Sequence, residues 1–409
     1  MKIAHVHSYY MDGWGYQENV LPKYQLALGH EVVMITSDRL RYVQPDGRRV
    51  LKPGEYGDNG VRVRRLSSIT EFRHRFVVLR GLYETLVEES PDCILVHEGV
   101  TSPTLFPAVR YRRSRPNTRL FVDNHSDLNI SARNRMWRYF YYSGAWRAVL
   151  SVVRDNIDLF FGVTPARCYF MTEVLSVPPD RVRLLPIGVD TVLADPLRTR
   201  RSAFRESYGF RSDDVVVITG GKFGEDKGLE SLIHAVDSID DPRLSLVVFG
   251  KFDSERVRTA AQRSKRTRFV GWLDREQIMS LLVAADVAVW PSIHTTLVED
   301  ALAAGTPLLL RYHGSTSHHI RGNGMYLFGG TSIEIAQCLQ MWLANRDVLG
   351  QMRDAAERQR ETLSYWTIAA ESVEYCRNLS PGGTHRMFMA DRMCSPETPG
   401  FRKVYQPRD

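Results

Sequence analysis

The sequence predicts an α/β protein with two doubly wound, Rossmann-like domains that face each other across a cleft. Short apolar runs rich in β-branched residues alternate with helix-like segments, which is typical of βαβ units and parallel sheets. The alternation occurs twice, and a segment rich in Pro, Gly and Asp, residues 183–197, separates the two series. The length of 409 residues and the hydrophobic content of 43% suffice for two separate cores.

The first series defines an N-terminal domain, predicted to span residues 1–195. Gly29 follows its first helix, at a position that favours glycine because the backbone there turns left-handed. Strands are predicted at 2–7, 31–36, 61–66, 92–97, 119–123 and 158–163, and helices at 16–28 and around 75–89.

The second series defines a C-terminal domain, predicted to span residues 196–375, with the boundary between Val189 and Arg211. Ligands of such sheets bind at the carboxyl ends of the strands. A tail, residues 376–409, is rich in Pro, Gly and charge and is predicted to be loosely ordered. Strands are predicted at 214–219, 244–250, 267–270, 286–290 and 307–311, with helices between them.

Charge and cysteine usage narrow the class of protein. The net charge of +7 favours anionic partners such as nucleotides or acidic lipids, while nucleic acid has no support beyond this charge and is not expected. The five cysteines lie far apart without C-x-x-C spacing, which indicates reduced thiols in a cytoplasmic protein. No apolar run approaches the length of about 18 residues that a membrane span requires.

The stretch VVVITGGKFGEDKGLE, residues 215–230, combines a strand end, bare glycine backbone and two lysines, Lys222 and Lys227. Glycines let backbone N–H groups approach an anion, and the start of the following helix adds a favourable dipole. Neither lysine precedes Ser or Thr, so the stretch is not a Walker A loop. It predicts a phosphate site of another kind. Two solvated loop charges are the alternative interpretation.

Five fragments in this order resemble the glycosyltransferases of group 1, also called family 4, which have the GT-B fold. The resemblance covers roughly residues 1–376. The fragments are GHEVVMITSD, RVRLLPIGVDT, GGKFGEDKG, RFVGWLDREQIMSLLVAADVAVWPS and DALAAGTPLLL. Ile187 stands where the family usually has Asn.

The resemblance implies an enzyme that moves a sugar from a UDP- or GDP-linked donor to a glycan, lipid-linked or small-molecule acceptor. It also implies retention of the anomeric configuration, with neither a metal nor another cofactor. Lys222 and Lys227 take the positions of the family's phosphate-binding cations and are expected to act in catalysis. They would stabilise the charge that grows on the leaving diphosphate. Gly221 is expected to contact the same group.

The segment PSIHTTLVEDALAAGTP, residues 291–307, departs from the family's Glu-x7-Glu pattern. Asp300 falls on the second Glu and is expected to accept the ribose hydroxyls, although a shift of one residue would give that role to Glu299. Ser292 replaces the first Glu. The remaining predicted donor contacts in this segment are His294, Thr295, Thr296 and Leu297.

In the N-terminal half, the resemblance implies two further sites. Gly13 and Gly15 lie in a loop expected to face both substrates, although a tight turn without a ligand is equally consistent. His125, in VDNHSD after a predicted strand, is expected to touch the donor sugar, with a structural role as the alternative. Glu98 is a candidate acceptor contact. The pairs His5/His7 and His318/His319 lack metal-site spacing and are interpreted as structural or exposed.

The segment RNRMWRYFYYSGAWR, residues 133–147, interleaves arginine with aromatic residues. A helix that packs its aromatic side chains into the first domain explains it, and so does peripheral contact with anionic lipid at the inner face of a membrane. Two other functions remain open. The missing first Glu is consistent with a non-catalytic GT-B partner subunit, and a GT-B sugar-nucleotide epimerase is the second alternative.

Overall fold

The computed structural model describes residues 1–44, 47–129, 131–292 and 295–379. The chain divides into two compact units, Gly188–Ser364 and a unit that joins Met1–Ile187 to the segment from Tyr365 onward. These bounds differ from the predicted domains, 1–195 and 196–375, because two helices pack differently than expected. The helix after Gly188 buries Ala194 and Leu197 in the second unit, and the helix that starts at Tyr365 packs in the first.

The strands form two main sheets and one hairpin. The first unit has an eight-stranded sheet of order β10-β9-β8-β7-β1-β2-β4-β3, in which only β3 is antiparallel, and the separate hairpin β5-β6. The second unit has a six-stranded parallel sheet of order β13-β12-β11-β14-β15-β16. The strands are β1 Lys2–His7, β2 Glu31–Ser37, β3 Gly54–Asp58, β4 Val61–Leu66, β5 Ser68–Phe72, β6 Phe76–Leu79, β7 Cys93–Val96, β8 Arg119–Asn124, β9 Leu159–Gly162, β10 Val182–Leu184, β11 Val215–Phe223, β12 Leu244–Phe252, β13 Thr267–Gly271, β14 Val287–Trp290, β15 Leu308–Arg311 and β16 Gly324–Leu327.

Helices connect these parallel strands and cover both faces of each sheet, so the predicted α/β class with two Rossmann-like domains is confirmed. The helices are α1 Gln17–Ala27, α2 Leu82–Glu89, α3 Leu105–Ser114, α4 Arg147–Val153, α5 Pro165–Glu173, α6 Thr191–Arg198, α7 Arg201–Ser207, α8 Leu229–Asp237, α9 Glu255–Arg263, α10 Arg275–Ala284, α11 Leu297–Ala303, α12 Ser332–Ala344, α13 Arg346–Thr362 and α14 Tyr365–Arg377.

In the first unit, α14 packs against α1 on one face of the sheet. The ring of Tyr24 lies 5.6 Å from that of Tyr365 and 4.8 Å from that of Trp366, and Ile368 and Val373 are buried beside them. Burial of side chains of this size stabilises a packed helix by about 1.5–3 kcal/mol each. The apolar face of α14 therefore holds the C-terminal segment on the first unit.

The predicted helix around residues 75–89 is wrong in its first part. Residues 76–79 form β6 of the hairpin, and only Leu82–Glu89 is helical. The turn between β5 and β6 carries Arg73 and His74, both with φ near +51°. Such backbone normally favours Gly or Asn, so the sequence contains no turn signal there.

The aromatic segment, residues 133–147, divides its side chains between the core and the surface. Residues Trp137–Trp146 form a π-helical stretch in which Tyr142 and Trp146 are buried. Met136 and Phe140 are 70% and 74% exposed. Packing of aromatic side chains into the first unit therefore explains only part of this segment.

The described part of the chain has no helix long and apolar enough to cross a bilayer. Cys93, Cys168, Cys338 and Cys376 are free thiols, and Cys394 lies outside the described residues, like the tail from Ser380 onward.

Candidate functional site

A cavity of about 360 Å³ in the second unit lies at the carboxyl ends of β11, β12 and β14. It brings together two predicted segments that are about 70 residues apart in the sequence. His294 falls outside the described residues. The predicted site residues that line the cavity are Gly221, Lys222, Lys227, Thr295, Thr296 and Leu297.

Glycines allow the strands that carry the lysines to approach closely at their ends. A Cβ atom at Gly220 would lie 2.0 Å from the ring of Phe249, and one at Gly250 would lie 2.0 Å from the carbonyl oxygen of Gly221. Gly250 also has φ near +115°, which other residues rarely adopt. The glycines thus keep the backbone beside Lys222 bare.

Lys227 ends a single helical turn, Glu225–Lys227, and Gly228 precedes the first residue of α8 with φ near +71°. A Cβ atom at Gly228 would lie 3.1 Å from the Cβ of Pro291. This close approach places the lysine loop against the start of the segment 291–297. The two cations, the α8 N-terminus and the hydroxyls of Thr295 and Thr296 are therefore near one another.

One wall of the cavity is apolar and was not predicted. Trp290 donates from its indole Nε1 to the carbonyl oxygen of Gly220 at 3.0 Å, which fixes the ring. This wall could have been predicted from the aromatic residues at the ends of the predicted strands 244–250 and 286–290. Flat apolar faces beside two cations suit a ligand with both a ring and an anionic group. The wall consists of Phe249, Trp272, Leu273, Ile278 and Trp290.

Glu299 and Asp300 follow in the first turn of α11 and do not line the cavity. Glu299 is buried, and its Oε1 lies 3.1 Å from Nε2 of the buried His319. Asp300 is half-buried. Burial raises the pKa of Asp300 to about 6, with Glu299 and Asp190 adding to the effect and Arg275 opposing it. The structure thus gives the two neighbouring carboxylates different surroundings.

A second cavity, of about 460 Å³, lies in the first unit around His125. We call it the basic pocket, because Arg41, Arg73 and Arg75 line it. Hydroxyl groups of Ser8, Ser102 and Ser131 and the carboxylate of Glu98 complete the lining used below. His125 follows β8, at the carboxyl end of a parallel strand.

His125 is the partly buried end of a chain of polar contacts. Its Nε2 lies 3.4 Å from Oδ1 of Asp123, and the other oxygen of Asp123 lies 2.6 Å from Nδ1 of His97. The Nε2 of His97 lies 2.9 Å from Nδ1 of His5, whose Nε2 lies 2.6 Å from Gln25. Asp123 and His97 were missed because their pairing is visible only in the folded chain.

The chain of contacts sets the ionisation of His125. Burial alone disfavours the imidazolium, but the Asp123 carboxylate outweighs it and raises the pKa of His125. Burial lowers the pKa of His5 to about 3, so this histidine is neutral. His5 and His7 are buried, as the structural interpretation expected. Within the described ranges, no three His, Cys, Asp or Glu side chains are placed to hold a metal ion.

Gly13 and Gly15 lie between β1 and α1, outside the lining of the basic pocket. Gly13 has φ near +72°, and its N–H donates to Oδ2 of Asp58 at 3.1 Å. This hydrogen bond anchors the turn to β3.

Comparison with known proteins agrees with both units. Residues 200–359 match the family described as Glycosyl transferases group 1, and residues 21–188 match the Glycosyl transferase 4-like domain. YtcC of Bacillus subtilis, named as a glycosyltransferase, is 23% identical over 64% of this chain and 68% of its own length.

A GDP-mannose-dependent monoacylated alpha-(1-6)-phosphatidylinositol monomannoside mannosyltransferase of Corynebacterium glutamicum is 30% identical. That match covers 26% of this chain and 30% of the relative. The glycosyltransferase MJ1607 of Methanocaldococcus jannaschii is 25% identical over 49% of this chain, which spans about half (55%) of that relative.

Solved structures share the fold over almost the whole chain. Sucrose-phosphate synthase from Thermosynechococcus elongatus superposes with a TM-score of 0.67 at 19% identity, covering 93% of this chain and 99% of that one. HepE of Anabaena, in complex with UDP and glucose, has a TM-score of 0.64 at 14% identity, covering 92% and 99%. The chain therefore belongs to the group 1 glycosyltransferases of the GT-B fold and is a glycosyltransferase.

Proposed function

We propose that this glycosyltransferase uses a nucleoside-diphosphate sugar as donor and retains the anomeric configuration of the transferred sugar. The donor binds in the cavity of the second unit, and a glycan, lipid-linked or small-molecule acceptor binds in the first unit. Lys222 and Lys227 supply the positive charge at the diphosphate, so the reaction proceeds without a metal.

The combination of chemistries in the second-unit cavity carries this proposal. An aromatic and aliphatic wall suits a nucleobase, while Lys222, Lys227 and bare glycine backbone suit a diphosphate. The volume of about 360 Å³ lies within the usual range for small-molecule sites, about 300–1,000 Å³. Asp300, half-buried near the cavity, accepts the ribose hydroxyls when it is ionised.

The lysines act mainly in the transition state. When the anomeric C–O bond breaks, the electron pair passes to the diphosphate oxygen, and the negative charge there increases. Two cations already in place stabilise this charge more than they stabilise the bound donor. The leaving phosphate takes the proton from the acceptor hydroxyl on the same face of the sugar, and that oxygen forms the new bond to the anomeric carbon.

The names of a relative and of a solved structure indicate two candidate nucleobases for the donor. HepE was solved with UDP, and the Corynebacterium glutamicum relative is GDP-mannose-dependent. We therefore propose a uridine or guanosine nucleotide as donor. His125 contacts the transferred sugar from the basic pocket of the first unit.

We also propose peripheral contact with an anionic bilayer at its cytoplasmic face. Met136 and Phe140 are largely exposed, and Arg133 and Arg135 are exposed beside them in sequence. Apolar side chains that enter the interface and guanidinium groups that meet anionic headgroups are the two parts of such a contact.

Binding of UDP and GDP to the full chain, measured by calorimetry, tests the donor site. We expect alanine at Lys222 or Lys227 to weaken binding by about tenfold each, because each loses a charge-assisted contact with the diphosphate. Lys251 is the matched control. It pairs with Lys222 on the adjacent strand, is exposed, and lies 3.0 Å from Asp253 outside the cavity.

Lys251→Ala should bind the nucleotide as the natural chain does. Equal affinity in Lys222→Ala, Lys227→Ala and Lys251→Ala would contradict the assignment of the cavity. Once a donor is identified, nucleoside diphosphate release should continue in excess EDTA. Loss of release with EDTA, restored by a divalent ion, would contradict the role of the lysines.

A further inference from the structure

The basic pocket of the first unit carries more positive charge than a neutral sugar requires. Arg41, Arg73 and Arg75 line it, and Glu98 is the only acid among the described residues of its lining. Arg41 already contacts both carboxylate oxygens of Glu98, at 3.2 and 3.1 Å. Burial disfavours the ionised carboxylate of Glu98, but Arg41 lowers the pKa of Glu98 to about 2. Arg73 and Arg75 therefore remain as excess charge.

Among the described residues, no carboxylate lies within ion-pair distance of Arg73 or Arg75. The nearby Glu71 is held by Arg49, and it also accepts from the hydroxyl of Tyr9 at 2.9 Å. Both arginines are exposed at the tip of the β5-β6 hairpin. A neutral ligand would leave these guanidinium groups without an anionic partner.

Contacts with aromatic side chains hold Arg75 of the hairpin in a defined position. Arg75 donates to the hydroxyl of Tyr142 at 2.6 Å and lies 5.8 Å and 5.4 Å from the ring centres of Trp137 and Tyr141. Tyr142 is fully buried in the core of the unit. The guanidinium group is thus oriented before any ligand binds, which lowers the entropy lost on binding.

The turn itself is in a strained conformation. Arg73 and His74 both have φ near +51°, which costs non-glycine residues on the order of 1 kcal/mol each. Asn-Gly would adopt the same backbone with little strain. A turn that carries Arg and His instead places two nitrogen-rich side chains in the lining of the basic pocket.

We propose that the acceptor carries a phosphate group, which binds to Arg73 and Arg75 in the basic pocket beside His125. This inference rests on the proposed function and specifies the chemical class of its acceptor. Planar guanidinium groups donate paired hydrogen bonds to phosphate oxygens. The hydroxyls of Ser8, Ser102 and Ser131 supply further donors for the phosphate or the neighbouring sugar.

The same phosphate chemistry occurs in a soluble sugar phosphate and in a phospholipid headgroup. Four probes are used with the full chain, namely glucose 6-phosphate, glucuronate, glucose, and vesicles of phosphatidylglycerol in phosphatidylcholine. Calorimetry with the soluble probes should be run on Lys222→Ala/Lys227→Ala, because the phosphate group of a probe would also bind at the lysines of the proposed donor site.

In that background we expect glucose 6-phosphate to bind and glucose to bind at least about tenfold more weakly. Adding Arg73→Gln/Arg75→Gln should weaken glucose 6-phosphate binding by about tenfold or more, because two charge-assisted contacts are lost. Arg80→Gln is the matched control, since Arg80 is exposed directly after the same hairpin and lies outside the pocket. It should leave the affinity unchanged.

If the acceptor is a lipid, the vesicles will bind in an Arg73- and Arg75-dependent manner and glucose 6-phosphate will bind weakly. No dependence on Arg73 and Arg75 with either probe would overturn the proposal, as would stronger binding of glucuronate than of glucose 6-phosphate. Arg73→Gln/Arg75→Gln in the otherwise natural chain should retain full affinity for UDP or GDP. Failure of nucleotide binding in the natural chain would instead contradict the proposed function, so the two failures are distinguishable.

Discussion

The carboxylate of Glu299 lies 3.1 Å from Nε2 of His319, and both side chains are buried. The next residue, Asp300, is only partly buried in the same turn of α11. The two adjacent acids that the sequence leaves as alternatives for the ribose therefore differ in what they already contact. Glu299 is already paired with a buried histidine of its own unit, whereas Asp300 is partly exposed to solvent.

This difference predicts opposite effects of two matched substitutions. Glu299→Ala should lower the free energy of unfolding by about 2–4 kcal/mol, because it removes one partner of a buried pair. Asp300→Ala should change it by less than about 1 kcal/mol but weaken nucleoside diphosphate binding several-fold. Urea denaturation and calorimetry measure the two effects. A stable Glu299→Ala variant that has lost nucleotide binding would assign the ribose to Glu299.

Nucleotide affinity should depend on the ionisation of Asp300. Only the ionised carboxylate accepts hydrogen bonds from both ribose hydroxyls, and burial raises the pKa of this group to about 6. Affinity should therefore increase between about pH 5 and about pH 7.5. Because the terminal phosphate also titrates near pH 6, Asp300→Asn serves as the control, and its profile should be flatter. Identical profiles would exclude Asp300 as the ribose ligand.

The same raised pKa gives folding stability a pH dependence opposite to that of nucleotide affinity. The folded pKa of about 6 exceeds the ordinary value of 3.8, so protonated Asp300 favours the folded state. This contribution is complete below about pH 4 and is lost as the pH rises through 6. Asp300→Asn, which stays neutral, should therefore gain stability relative to the natural chain above pH 6. Thermal unfolding at both ends of the range measures this gain.

The imidazole of His125 is expected to act on the sugar and not on the nucleotide. His125→Gln should lower the rate of transfer by at least about tenfold and leave the dissociation constant of the nucleoside diphosphate unchanged. Asp123→Asn should lower the pKa of His125, because it removes the carboxylate that raises it. NMR titration of the imidazole measures this pKa directly. An unchanged pKa in Asp123→Asn would contradict the electrostatic role of Asp123.

The proposed contact with a membrane predicts that removal of specific exposed apolar side chains weakens binding to vesicles. Met136→Ser/Phe140→Ser should weaken binding to phosphatidylglycerol-containing vesicles by about tenfold, because two side chains no longer leave water. Phe328 is the control, since it is 72% exposed but belongs to the second unit. Vesicle sedimentation with and without added salt measures both contributions. Equal losses with Phe328→Ser would contradict a specific contact surface.

Much of the fold could be predicted because strand and helix patterns are local. Long apolar strands such as β11 and β12 begin within a residue of their predicted starts, and Gly29 has the left-handed backbone expected of a helix end. The β5-β6 hairpin was not predicted because its turn has Arg and His in place of Gly or Asn. Strands as short as β10 bury too few residues to leave a clear pattern.

The chemistry of the lysine loop is likewise contained in the sequence. Lys222, Lys227 and the glycines are neighbours along the chain, and the segment from Thr295 follows another predicted strand. Their meeting in one cavity depends on β14 lying beside β11, which is a property of strand order and not of either segment. The ligand-binding edge of a parallel sheet then brings both segments together.

The sequence by itself determined the two α/β domains, the family and the lysine loop, because all three depend on local patterns of residues. Only the tertiary structure decided which acid pairs with His319, which carboxylate raises the pKa of His125, and which arginines have no carboxylate within ion-pair distance in the described part of the chain. These properties arise from burial and from contacts between side chains far apart in the chain. Electrostatic interactions depend on distance and desolvation, which no single segment specifies.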